Sequence, residues 1–296
     1  MKEINALQIG GLALEIIRSG KAGRTMGVTS KGLFLNSSDR ILFITTAPYQ
    51  SPFNIQIKQM DTLVEGVQTG DEVSLKDFSI DFPNCGIHIE IGDAEVWQPD
   101  GPPRLTTTQN EQAEKIGSIV QKMNYELDSN KGWFFLESPQ FLFGSSDPQE
   151  ERISKVTQNF LDCFRKADLP GCIEFARSII GLGSGLTPSG DDWLTGFFVV
   201  FARIEELRGR KEVFIELLGK TLTEIAFQGT TKISANRIQA ACGGWVEQIF
   251  LEVVDLIASR EKQLGNLDIQ SLVKFGHSSG VDTCMGIFAA WKNTFQ

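Results

Sequence analysis

The sequence predicts an α+β protein, an N-terminal β-rich barrel or sandwich followed by a mostly α-helical domain, and three observations carry that expectation. Short β-branched, alternating runs fill residues 10 to about 100, three prolines interrupt the chain at Gln98-Pro99-Asp100-Gly101-Pro102-Pro103, and helical periodicity takes over beyond them. The division therefore falls into residues 1–98 and 99–296. At 296 residues the chain can build two cores, and 41% apolar with 22% charged residues is a globular balance. The longest apolar cluster, Phe197 to Ala202, stops at Arg203, too short for a membrane span and suited to a buried helix.

In the first domain, candidate strands occupy residues 12–17, 32–35, 41–45, 53–57, 72–75 and 87–91. Asn36-Ser37-Ser38-Asp39, Gly70-Asp71 and Gly92-Asp93 lie between them as turn chemistry requires. Proline cannot continue a ladder or a helix, so the cluster at 98–103 ends this domain. Beyond it, Ile116, Ile119, Val120 and Met123 recur at helical spacing, as do Ile153, Val156, Phe160 and Phe164. Further helices are expected at 170–180, 191–207, 212–227, 232–242, 244–259, 267–275 and 281–293. The aromatic run at 133–143 reads as a strand or a packed loop.

Charge and cysteine content exclude several functions. A formal charge of −9 with dispersed basic residues gives no stripe able to displace counterions from phosphates, so no nucleic acid is expected as partner. The only short basic cluster, Arg208-Gly209-Arg210-Lys211, reads as a solvated turn between helices. Five scattered cysteines with two histidines, His88 and His277, suit buried thiols in a reducing compartment better than disulfides or zinc. His88 alternates with Ile87 and Ile89 in a strand and is expected to be structural. The first residues carry no charged leader followed by an apolar segment, which points to a cytoplasmic protein without a membrane partner.

The most informative stretch is Gly181-Leu182-Gly183-Ser184-Gly185-Leu186-Thr187-Pro188-Ser189-Gly190-Asp191-Asp192. Gly181 sits where a left-handed helix end is wanted, and Gly183, Gly185 and Gly190 leave the backbone unobstructed. Ser189 or Thr187 can cap the following helix, whose first turn would offer free N–H groups to an anion. No Gly-Lys-Ser/Thr ending is present and the segment follows a helix, so the nucleotide-binding glycine motifs do not apply. A second copy exists, because Ser189-Gly190-Asp191-Asp192-Trp193-Leu194-Thr195-Gly196 and Ser279-Gly280-Val281-Asp282-Thr283-Cys284-Met285-Gly286 share Ser-Gly-x-Asp-x-x-x-Gly. Aspartate and final glycine are four apart, on one helical face, which predicts two helices packed through their glycines with neighbouring N-termini. Ser189, Asp192, Ser279 and Asp282 would line the space between them.

Two further segments join the site. His277, with Ser278, precedes the second copy; it either carries a proton or serves as a cap. Between the copies, Thr230 or Thr231 can cap a helix that carries Lys232 and Ser234 in its first turn. A cation at a helix start is unfavourable unless an anion or an aspartate partners it; the alternative is that Lys232 simply points to solvent.

Gly-Leu-Gly-Ser-Gly-Leu-Thr-Pro-Ser-Gly-Asp-Asp, Thr-Thr-Lys-Ile-Ser and Gly-His-Ser-Ser-Gly-Val-Asp together resemble the family of the AllH-type subunit of oxamate carbamoyltransferase. The resemblance covers residues 181–286 by motif and the rest only in layout; Gly183-Ser184-Gly185 stands where relatives often have Gly-Pro-Gly. It implies a subunit of a multi-protein transferase of allantoin breakdown, exchanging a carbamoyl group between oxalurate and phosphate to give oxamate and carbamoyl phosphate. Its partners would be a small anionic substrate and other subunits, with self-association left open. The expected reacting set is Asp192, Lys232, His277 and Asp282. Gly183, Gly185, Thr187, Ser189, Gly190, Asp191, Thr231, Ser234, Ser278, Ser279 and Gly280 would bind the anion. The sequence assigns no cofactor, although Asp191, Asp192 and Asp282 could hold magnesium through water. The alternatives are a non-catalytic scaffold and a protein acting on another small carboxylate or carbamoyl compound.

Overall fold

The computed structural model describes residues 2–29, 31–76, 78–127, 132–137 and 147–293. They form two compact units, Met1–Asp100 and Gly101–Gln296.

The first unit is a β-barrel. Its strands are β1 (Lys2–Gly10), β2 (Gly23–Thr29), β3 (Gly32–Ser37), β4 (Arg40–Thr45), β5 (Asn54–Ile57), β6 (Glu72–Lys76), β7 (Ser79–Phe82), β8 (Ile87–Glu90) and β9 (Glu95–Trp97). They run in the order β5-β4-β3-β2-β6-β7-β8-β1-β9, and a β5–β1 pairing closes eight of them into a ring. β1 manages this by changing partners along its length. Lys2 to Asn5 pair in parallel with β8, and from Ala6 on the strand pairs antiparallel with β5, with a register shift between Ala6 and Gln8. Such an irregularity bends a strand enough to turn a corner. β9 lies beside the same end of β1. Alternate residues such as Leu33, Leu35, Leu42, Ile44, Ile55 and Ile80 fill the interior.

Residues 12–17, expected as a strand, belong to helix α1 (Gly11–Arg18). Ala13, Leu14, Ile16 and Ile17 are buried while Glu15 and Arg18 face out, a helical distribution that the alternation of Leu12, Leu14 and Ile16 disguised. Gly10 starts it, because a Cβ there would lie 2.2 Å from the Ser51 carbonyl oxygen. A short helix, α2 (Asp61–Gly66), precedes β6.

The second unit is helical. It comprises α3 (Gln109–Glu126), α4 (Pro148–Arg165), α5 (Leu169–Ile179), α6 (Ser189–Arg203), α7 (Glu205–Arg208), α8 (Glu212–Gly229), α9 (Lys232–Cys242), α10 (Gln248–Ala258), α11 (Ile269–Lys274) and α12 (Ser279–Asn293). The helix expected at 191–207 is broken at Ile204, whose extended backbone separates α6 from α7. Gly132–Glu137 form 3-10 turns rather than a strand, and residues 138–143 of that expectation lie outside the described residues. α6 and α12 are the core: 13 of the 15 residues in each are buried, and the other helices cover them. Aromatic packing reinforces α6, with Trp193 and Phe197 stacked at 5.4 Å and Phe160 edge-on to both. Lys211, expected in solvent, donates to the Phe164 and Arg165 carbonyls at 3.3 and 3.0 Å, where the end of α4 attracts a cation. All five cysteines are free thiols.

Candidate functional site

The two motif copies meet as a pseudo-symmetric pair. α6 and α12 each begin at the motif serine and cross at its last glycine, as the four-residue spacing led us to expect. A Cβ on Gly196 would lie 1.9 Å from the Thr283 carbonyl oxygen, and one on Gly286 would lie 1.9 Å from that of Trp193. Trp193 and Thr283 occupy equivalent places in their copies, so each helix touches the other at the same point. The earlier glycines repeat the relation: Gly190 abuts the Ile179 carbonyl ending α5, and Gly280 abuts the Leu272 carbonyl in α11, with Cβ positions 2.1 and 1.8 Å away. Backbone thus packs on backbone, which only glycine permits.

This crossing buries both motif aspartates completely. Asp192 Oδ1 is ion-paired with Nη1 of Arg237, which α9 supplies, and the same guanidinium contacts both carboxylate oxygens of Glu247 at 3.3 Å. Asp282 Oδ1 accepts a 2.6 Å hydrogen bond from the Trp133 N–H. Gly132 leaves room for that contact, since a Cβ there would stand 2.1 Å from the carboxylate. Serines cross over between the copies. Ser279 lies close enough to Asp192, and Ser189 with Ser278 close enough to Asp282, to favour the ionised acids. Neither Oδ2 atom has a hydrogen-bond partner.

Burial decides the protonation of these acids. It pushes Asp192 up to about 7, with Arg237 opposing and the charge of Asp282 adding. Asp282 is also raised by burial, against the Trp133 N–H and the two serines. Asp191 is raised in the same way, and both of its oxygens are in use: Oδ1 accepts from the Gly181 N–H at 2.8 Å and Oδ2 from the Thr230 hydroxyl at 2.5 Å. Asp191 therefore stitches the start of the glycine loop to the turn between α8 and α9.

Around the acids, the three motif segments converge. Thr187 Oγ1 meets Ser279 Oγ at 2.8 Å, and the Thr231 hydroxyl donates to the Leu186 carbonyl at 2.6 Å while accepting from the Ser234 N–H at 3.1 Å. Thr231 is thus the α9 cap that the sequence offered. Gly181, Gly183 and Gly185 have φ of +75°, +125° and +92°, and residues 183–186 are exposed. Lys232 is exposed at the first position of α9, and His277 is exposed just before α12. His277 lies near enough to Asp282 for a charge on its ring to favour the ionised carboxylate. Ser234 is buried, and its hydroxyl lies close enough to Asp191 to favour the ionised acid.

Two local expectations are corrected. Neither Ser189 nor Thr187 caps α6: Pro188 holds the cap position without a side-chain bond, Ser189 is the first helical residue, and Thr187 turns to Ser279. The helix starts are also less open than expected. The Gly190 N–H donates to the Leu182 carbonyl at 2.9 Å and the Gly280 N–H to the Phe275 carbonyl at 3.0 Å, because each preceding loop folds back on its helix. The Asp191 and Asp192 N–H groups both go to Pro188, and that of Asp282 goes to Ser278.

Sequence reasoning gave no role to Arg237, Glu247, Gly132 or Trp133. Arg237 had a signal, a permanent charge four residues after Ile233 and three before Ala240, on the apolar face of α9. The others had none, because their partners are 10 to 150 residues away in the chain.

No solved structure matches the chain. A family model does, over the stretch from the end of α5 into α12 that holds both motif copies and α9. Within residues 179–291, this chain therefore carries the sequence pattern of the family described as oxamate carbamoyltransferase subunit AllH.

Proposed function

We propose that the chain is a cytoplasmic subunit of a carbamoyl-transferring enzyme of allantoin and purine catabolism, and that it binds a small anion at the rim of the paired helix starts. The observation that carries this reading is the convergence of the three family motifs, joined by the Thr187–Ser279 and Thr231–Leu186 contacts. Among the described residues no helix is long and apolar enough to cross a membrane.

In the reaction, an oxygen of hydrogen phosphate attacks the ureido carbonyl carbon of oxalurate. The bond from that carbon to the oxamate nitrogen then breaks, and the phosphate proton passes to the departing nitrogen. Products are oxamate and carbamoyl phosphate. The work for the protein is to orient two anions and to offset their charge. Lys232 and His277 are the exposed cationic or proton-carrying groups of the motif set, with Thr231, Ser278 and the Gly183–Gly185 backbone beside them. In this reading, Asp192 and Asp282 fix the floor beneath.

A scaffold role is the second reading, and one observation favours it. Asp191, the Gly190 and Gly280 N–H groups and one oxygen each of Asp192 and Asp282 are already engaged within the protein. Isothermal titration of the full chain with phosphate, carbamoyl phosphate, oxamate and oxalurate separates the readings. We expect saturable binding of at least one ligand, weakened tenfold or more by Lys232→Ala or His277→Gln with the fold intact. Silence from a well-folded chain would favour the scaffold. Binding only of other small carboxylates or carbamoyl compounds would move the substrate assignment.

A further inference from the structure

We propose that Asp192 and Asp282 form a divalent-cation site of the magnesium type, with their Oδ2 atoms as ligands and the Ser189 and Ser279 hydroxyls completing the protein's share. Each carboxylate is held by its other oxygen, Asp192 by Arg237 and Asp282 by the Trp133 N–H. Both Oδ2 atoms are buried and neither has a hydrogen-bond partner. A buried acceptor of this kind is costly to leave unsatisfied. The two residues are wholly enclosed and belong to one cluster: the charge of Asp282 acts on Asp192, and each motif serine stands by the aspartate of the other copy.

Charge balance points the same way. Asp191, Asp192, Asp282 and Glu247 are all buried and one guanidinium, Arg237, pairs with two of them, so the ionised cluster carries an excess of negative charge. A divalent ion offsets two of those charges, where one shared proton offsets a single one. The donors are all hard oxygens, and magnesium is commonly held by one or two carboxylates with water or phosphate filling the remaining positions. The site also lets an acidic floor tolerate an anion above it; this last clause rests on the proposed function, and the rest does not.

The probe is Mn2+, followed by electron paramagnetic resonance on the full chain with no organic ligand present. We expect one saturable Mn2+ per chain, displaced by Mg2+, with affinity reduced at least tenfold in Asp282→Asn and several-fold in Ser189→Ala. Circular dichroism establishes that each variant is folded; Ser189, half-exposed, is the milder change and decides the matter if Asp282→Asn does not fold. No saturable Mn2+ binding by the folded wild type, or unchanged affinity in Ser189→Ala and Asp282→Asn, overturns the proposal. So does a protonated-carboxyl infrared band that Mn2+ leaves untouched, since the acids would then hold a proton where the ion is placed. None of these results bears on the anion titration, which reads Lys232 and His277.

Discussion

At the scale of single residues, the site depends on atoms that are missing. Gly196 and Gly286 let α6 and α12 approach until backbone meets backbone, and the nearest atoms are peptide oxygens that cannot move aside as a side-chain end could. Gly196→Ala should therefore cost ~3 kcal/mol or more, at the upper end of overpacking penalties, and Gly286→Ala should cost a similar amount. Gly185→Ala meets no atom within 4 Å and is strained only by its φ of +92°, so it should cost far less. Urea unfolding of the three variants tests the ranking; equal midpoints would refute it. Arg237 is the opposite case, a buried group whose loss strands its partners. Arg237→Met leaves Asp192 and Glu247 enclosed without a counter-charge, and we expect ~3–5 kcal/mol of destabilisation by the same measurement.

At the scale of elements, burial and caps decided where periodicity was ambiguous. Residues 12–17 fit both a strand and a helix on paper. The buried set Ala13, Leu14, Ile16 and Ile17 belongs to the helix, and Gly10 gives α1 room to start beside Ser51. The barrel strands carry a pH signal of their own. His88 on β8 faces Asp81 on β7, with Nδ1 2.6 Å from Oδ1, and its Nε2 lies 3.5 Å from Glu90. The Asp81 hydrogen bond raises the His88 pKa above 6.5, with burial opposing and Glu90 assisting. A raised folded-state pKa contributes stability in full below 6.5 and loses it as pH rises through the folded value. The wild type should thus lose more stability between pH 6 and pH 8.5 than Asp81→Asn does. Parallel pH dependence of the two proteins in urea titrations would refute the assignment.

At the scale of the whole molecule, the family match runs from the last residue of α5 into α12 and leaves the barrel, α3 and α4 outside it. Carbamoyl transfer, on our reading, belongs to an assembly rather than to this chain alone. We expect the purified chain to bind its anion without turnover, and carbamoyl phosphate formation from oxalurate and phosphate to appear only with the other transferase subunits added. Turnover by the isolated chain would place the whole reacting centre here. The same assay on Lys232→Ala within the assembly would show whether binding at the rim feeds the reaction.

The sequence by itself determined the succession of a strand-rich and a helix-rich half, most helix positions, the repeat of Ser-Gly-x-Asp-x-x-x-Gly and the close packing that its glycines allow. These features are local: they follow from hydrophobic period, turn chemistry and the size of one side chain. β1 escaped because its partners change along its length, and a strand paired in turn with β8, β5 and β9 has no single alternation to read. Only the tertiary structure decided which groups surround the acids. Arg237, Glu247 and the Trp133 N–H reach Asp192 and Asp282 across long stretches of chain, and the loops turn the first N–H groups inward. A motif specifies the residues it contains, whereas burial, and with it the charge state and the unsatisfied oxygens, is set by whatever the rest of the fold packs around them.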